Sequence, residues 1–216
     1  MKTLVKYKYE ILLGSLILQL MGLTLMPASF ELLARKILLL QTILPGILLY
    51  YKSKKQIYVI FLFIALMLAN GYEGFNQDGS HILSGSLFII YFTVISVRLY
   101  VDIFRAHAIT AEIISACFAG FILLGLLGSF AFVIIEFFQP QSFSNLPLVG
   151  GKFDDLQYYS YITVATVGFG DIAPLTQLAK KATVLLSLIG YFYSAFVTSI
   201  IIGKYIAYSG EFKRYK

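Results

Sequence analysis

From Thr110 to Phe138 the chain is apolar or small at every position except Glu112 and Glu136, and from Leu178 to Tyr208 its only charges are Lys180, Lys181 and Lys204. A helix that is apolar on every side belongs either in the core of a large protein or in a bilayer. Runs of this length match the hydrocarbon thickness. Further apolar stretches extend from Ile11 to about Ser29, Leu32 to Tyr51, Ile57 to Tyr72 and Ile82 to Phe104. The third of the six is short, and the second carries Arg35, Lys36 and Pro45. With 59% hydrophobic residues, 13% charged residues and a mean hydropathy of +0.82, a chain of 216 residues has too little polar surface to coat a soluble globule. Backbone groups inside lipid must be satisfied within the segment, so the expected fold class is an all-α membrane protein with six transmembrane helices.

Basic residues set the expected orientation. Lys2, Lys6 and Lys8 precede the first run, Lys52, Lys54 and Lys55 join the second to the third, and Lys204, Lys213, Arg214 and Lys216 close the chain. These segments, and hence both termini, are expected on the cytoplasmic side of a multi-pass protein of the cell membrane. The connections from Asn70 to His81 and from Gln139 to Lys152 hold a single Lys between them and are expected outside. Arg35 and Lys36 fall near the outer side, where they must snorkel or pair with Glu31. The basic start followed by Ile11 to Met26 has the layout of a signal peptide. Its long apolar run and the lack of a small-x-small site favour a retained anchor. Net charge of +6 then points to anionic lipid headgroups rather than nucleic acid.

Little suggests an enzyme. No phosphate-binding glycine loop and no zinc-spaced Cys/His set is present, and His81 and His107 fall at opposite membrane ends. Cys117, the sole cysteine, rules out an intrachain disulfide and reads as packing.

Between the last two apolar runs lies Thr166-Val167-Gly168-Phe169-Gly170-Asp171. A tube of carbonyl oxygens that replaces an ion's water shell needs consecutive residues to turn their C=O groups inward. L-residues resist the required twist, and Gly168 and Gly170 stand where it is needed. The candidate oxygens are the Thr166 hydroxyl and the carbonyls of Thr166, Val167, Gly168 and Phe169. Upstream, Asp154 and Asp155 are placed to start a short helix through Ala165, with acids at its positive end. Its other end directs partial negative charge toward the membrane interior.

The stretch from Tyr158 through the TVGFGD run to Ile172-Ala173-Pro174 resembles the pore loop and filter of tetrameric potassium channels, and the similarity covers roughly Ile109 to Tyr208. The resemblance implies a homotetramer with three further copies of the chain, K+ held at Thr166, Val167, Gly168 and Phe169 as the permeant ion, and no organic cofactor. It casts Tyr158, Tyr159, Ile162, Thr163 and Ala165 as pore-helix support. Tyr158, Tyr159 and Tyr161 form either an aromatic cuff or an ordinary interfacial belt. Glu136 is either an interfacial acid or a brace behind the filter. Three positions depart from the family: Phe169 stands for a common Tyr, Ala165 for a hydroxylated residue, and Ile162 for a carboxyl that partners the acid after the filter, which leaves Asp171 without that partner. Gly190 has the register of the family's hinge glycine, with close helix packing as the alternative. Ser194, Thr198, Ile202 and Ile206 share its face, the first two lining a wet cavity and the last two an apolar gate, with Gly203 as a second flexible point.

Four helices before a pore module resemble the voltage-gated layout, so 1–105 reads as a sensor-like domain and 106–216 as a pore domain. A sensor needs basic residues at every third position. Between Ile82 and Phe104 there is only Arg98, with Asp102 and Arg105 close by, which reads as an interfacial charge cluster. Only eight residues follow Tyr208, so no ligand-binding domain is expected after the last helix. The expected function is a potassium-selective channel with weak or no voltage dependence. The alternatives are a less selective cation channel and a non-conducting modulatory membrane subunit; a secondary transporter would show an internal repeat, and none is evident.

Overall fold

The computed structural model describes residues 5–21, 38, 41–42, 45–50, 57–58, 60–61, 64, 80–106, 110–147 and 152–214, with the side chains of 80–85 and 204–214 outside the description. Five helices have defined bounds: α1 (Lys8–Met21), α2 (Ser80–Arg105), α3 (Ala111–Phe138), α4 (Lys152–Val164) and α5 (Gln177–Arg214). Among the described residues, three segments are long and apolar enough to cross a membrane: Ser86–Arg105, Ala111–Phe138 and Gln177–Gly203. The expected spans from Leu32 to Tyr51 and from Ile57 to Tyr72 fall largely outside the described residues, as do Glu31, Arg35 and Lys36.

The chain forms two compact units. The first comprises Met1–Tyr72, Ser86–Ala106 and Thr110–Ile122, and the second comprises Glu73–Gly85, His107–Ile109 and Leu123–Lys216. In the first, α1 buries Tyr9, Leu12, Ser15 and Leu16, the stripe that a helical period predicts. Ser15 and Gln41 exchange hydrogen bonds, each side chain donating to the other's carbonyl at 3.0 Å. On α2 the buried positions Phe88, Tyr91, Phe92, Ile95, Leu99 and Ile103 keep the same spacing. The Tyr50 hydroxyl donates to the Val94 carbonyl at 2.8 Å, and that of Tyr100 to the Gly120 carbonyl at 3.0 Å. Both tyrosine hydroxyls are satisfied in this way on helix carbonyls.

In the second unit α4 is wedged between the later part of α3 and the start of α5. Two glycines of α3 make room. A Cβ at Gly125 would overlap the Tyr161 ring, and one at Gly128 would meet Ser160 Oγ and Leu186. Ser160 Oγ donates to the Gly125 carbonyl at 2.6 Å. Small residues thus let two helices approach closely, as they do in lipid, where exclusion of water supplies no drive. Phe132, Phe143 and Tyr159 meet as a three-ring cluster with centroids 5.1–5.5 Å apart. Thr176 caps α5, its Oγ1 accepting from the Ala179 N–H at 3.3 Å.

Candidate functional site

The segment after α4 is built by the way that helix stops. Thr166 N–H donates to the Thr163 carbonyl at 3.1 Å and Val167 N–H to the Ile162 carbonyl at 2.9 Å. This pair of bonds, with Thr166 at φ 58°, is a Schellman stop whose left-handed position is held by a β-branched residue instead of glycine. The Ile162 carbonyl accepts a second bond, from Gly168 N–H at 3.3 Å. Positive φ recurs at Gly168 (58°) and Gly170 (81°), while Val167 and Phe169 between them are not left-handed. Every second residue from Thr166 to Gly170 therefore has reversed handedness, and the first three amides of the run are committed to α4. An ideal Cβ at Gly168 or Gly170 would meet nothing within 4 Å, so glycine serves the backbone twist there rather than a tight fit within the chain.

The far end of the segment is tied to a turn that follows α3. Asn145 Nδ2 donates to the Asp171 carbonyl at 2.6 Å. Ser144 and Ala173 are doubly linked, Ser144 N–H to the Ala173 carbonyl and Ala173 N–H to Ser144 Oγ, both at 2.9 Å. Phe143 bridges Pro174, and Leu175 N–H donates to the Ser142 carbonyl at 2.7 Å. Glu136 holds this turn. Its carboxylate, 6% exposed, accepts from the N–H groups of Gln141 (3.1 Å) and Ser142 (2.9 Å) and pairs with Lys152 Nζ at 3.3 Å. The acid thus joins the end of α3 to the start of α4 and to the turn, and it reaches the 166–171 segment only through them. Gln141, Ser142, Ser144 and Asn145 were expected only as an external connection. Their signal was the turn chemistry of Pro140 to Asn145, with left-handed Gln141 (φ 63°) and Asn145 (φ 57°).

Position 162 offers Asp171 no carboxyl, and the group beside Asp171 is Tyr158 of α4. The Tyr158 hydroxyl beside its carboxylate, helped by backbone N–H groups and opposed by desolvation, holds the acid below its usual range. The three tyrosines take separate partners within the chain. Successive helical positions send Tyr158 to Asp171, Tyr159 to the ring cluster and to Thr183 Oγ1 at 3.0 Å, and Tyr161 into the Gly125 groove. Ile162 and Thr163 are buried, Thr163 Oγ1 donating back to the Tyr159 carbonyl at 2.8 Å, and Ala165 is exposed in the turn after α4. Helix α4 also starts at Lys152, ahead of Asp154 and Asp155, and ends at Val164.

Gly190 lies buried where α5 crosses the end of α4. A Cβ there would sit 2.6 Å from the Val164 carbonyl oxygen, and α5 continues through Gly190 as helix. Close packing is what its position requires. Beyond it Ser194, Thr198 and Ile202 are exposed on one stripe, Thr198 Oγ1 donating to the Ser194 carbonyl at 2.8 Å. The Ile206 side chain lies outside the described residues. These positions lie on α5 well past its contact with α4 and share no hydrogen bond with 166–171 among the described residues. Gly203 has nothing within 4 Å of an ideal Cβ.

A cavity of about 510 Å³ runs along the segment, lined among others by Thr163, Thr166, Gly168 and Gly170 and, across from them, Thr183 and Ser187 of α5. Phe169 is 71% exposed and Val167 52%, and only 11% of the apolar window of α5 is buried.

Residues 121–207, from the later part of α3 through α4 and the 166–171 segment into α5, match a family model described as "Ion channel". No curated protein and no solved structure gave a match.

Proposed function

We propose that this chain is the subunit of a potassium-selective channel and that four copies surround one pore, with residues 106–216 as the pore module. The family match supports an ion channel in a membrane. The observation that carries the finer reading is the alternation of handedness at Thr166, Gly168 and Gly170, with the amides of Val167 and Gly168 anchored on the Ile162 carbonyl. Once N–H groups are drawn toward the supporting helix, successive carbonyls are free to face the other way, as a dehydrated cation requires. K+ would then be held by the carbonyls of Thr166, Val167, Gly168 and Phe169 and by the Thr166 hydroxyl. The negative end of α4 lies at the start of this run and favours a cation there. Exposed Phe169, Val167 and the largely uncovered α5 supply apolar surface for neighbouring copies and for lipid.

The test is reconstitution of the purified chain alone in a planar bilayer under a potassium/sodium gradient. Currents that reverse near the potassium equilibrium potential are expected. Reversal near zero would replace potassium selectivity with a general cation pore, and absence of flux would favour a modulatory subunit.

A further inference from the structure

The first unit contains a second cavity, of about 230 Å³ or roughly eight water volumes, which the pore reading leaves unused. Lys8, Tyr9, Arg98, Asp102 and Arg105 line it, with apolar wall from Leu48 and Leu49. Three cationic side chains and one carboxylate thus share the lining. That carboxylate is already heavily engaged: Oδ1 pairs with Arg98 at 3.1 Å, while Oδ2 accepts from the Tyr9 hydroxyl at 2.8 Å and pairs with Lys8 Nζ at 3.5 Å. Among the described residues, Arg98 Nε is buried without a hydrogen-bond partner and no carboxylate pairs with Arg105. Glu112, whose field reaches Tyr9, is not part of the lining.

Positive charge held beside a low-dielectric wall is costly unless an anion meets it. A buried guanidinium N–H without an acceptor adds to that demand. The excess is two positive charges, from guanidinium and ammonium groups, and this matches a dianion with several oxygens. Guanidinium forks fit phosphate oxygens two at a time, and an ammonium meets a third as a point charge. We propose that this cavity binds a phosphate monoester group or phosphate ion, supplied either by a lipid headgroup or from solution.

The site is independent of conduction, so it is tested by binding. The full chain is reconstituted in nanodiscs of phosphatidylcholine alone, with phosphatidic acid, or with phosphatidylglycerol at the same mole fraction, and thermal unfolding is followed. Inorganic phosphate is titrated into the phosphatidylcholine discs. Phosphatidic acid, inorganic phosphate or both should raise the unfolding midpoint saturably, and phosphatidylglycerol, a singly charged diester, should do so much less. A response to phosphatidic acid alone assigns the site to a lipid headgroup, and a response to inorganic phosphate assigns it to a soluble anion.

Arg105 is exposed. Arg105→Gln should leave the midpoint in phosphatidylcholine unchanged and weaken phosphate binding roughly tenfold, the loss expected for one charge-assisted contact. Arg105→Lys should fall between that variant and the wild type. The proposal is overturned if neither phosphate source shifts the midpoint, if phosphatidylglycerol equals phosphatidic acid, or if Arg105→Gln binds as the wild type does.

Discussion

At Gly168 the left-handed backbone, φ 58°, meets open space on its own chain. Alanine there is opposed by conformation, at a cost of about 1–2 kcal/mol per residue, and not by a clash within the subunit. Gly168→Ala should therefore leave the helices and their assembly intact while abolishing single-channel conduction; wild-type currents would place the ion pathway elsewhere. Asp171 offers a second test, outside the spanning helices. Its carboxyl is held below the ordinary range chiefly by the Tyr158 hydroxyl. A depressed carboxylate contributes its interaction above the unfolded pKa and loses it as pH falls through the folded value, so the contact should persist at neutral pH and fail only in acid. In Tyr158→Phe the titration of Asp171, followed by carbon NMR of a labelled carboxyl, should move upward toward the usual range. An unmoved titration would show that backbone N–H groups alone set it. The TVGFGD run made the two glycines legible. Left-handed Thr166 was not legible, because a β-branched residue at a helix stop runs against local preference and is held there by the bonds to Ile162 and Thr163.

Among the elements, α4 is the one whose placement depends most on its neighbours. Gly190 decides between two effects of opposite sign. Helix propensity alone favours alanine over glycine by about 1 kcal/mol. Against it stands a Cβ 2.6 Å from the Val164 carbonyl, a backbone atom that cannot swing aside. Overpacking of this kind costs about 1–3 kcal/mol, so Gly190→Ala should lower the thermal midpoint and disturb the end of α4 from which Thr166 departs. A stable variant altered only in open probability would return Gly190 to the role of a hinge. The extents of α3 and α5 were readable from hydropathy, because every turn of a membrane helix must be apolar. The turn from Gln139 to Asn145 was not readable as support for Asp171 to Leu175. Its hydrogen bonds join residues distant in sequence, and Glu136 at their centre has the same composition signal as any interfacial acid.

On the scale of the whole molecule, voltage is the informative stimulus. In α2, Arg98 is paired with Asp102 and Arg105 stands at the helix end, an arrangement that offers little charge to move through the field. Open probability measured from strongly negative to strongly positive potentials should change shallowly, far below the ~3–4 charges per subunit of true sensors. A steep curve would make the Lys8, Arg98 and Asp102 cluster a moving part. The sequence by itself determined the solvent, the helical class and the glycine-bearing segment, because hydropathy and the absence of a side chain are properties of single residues that no neighbour alters. Tertiary structure decided the rest. Only folding brought Tyr158 to Asp171, Glu136 to the turn beyond it, Gly190 to the Val164 carbonyl, and Lys8 beside Arg98 and Asp102. Those relations depend on which face each helix turns inward, and helices that are apolar all round carry no pattern that fixes it.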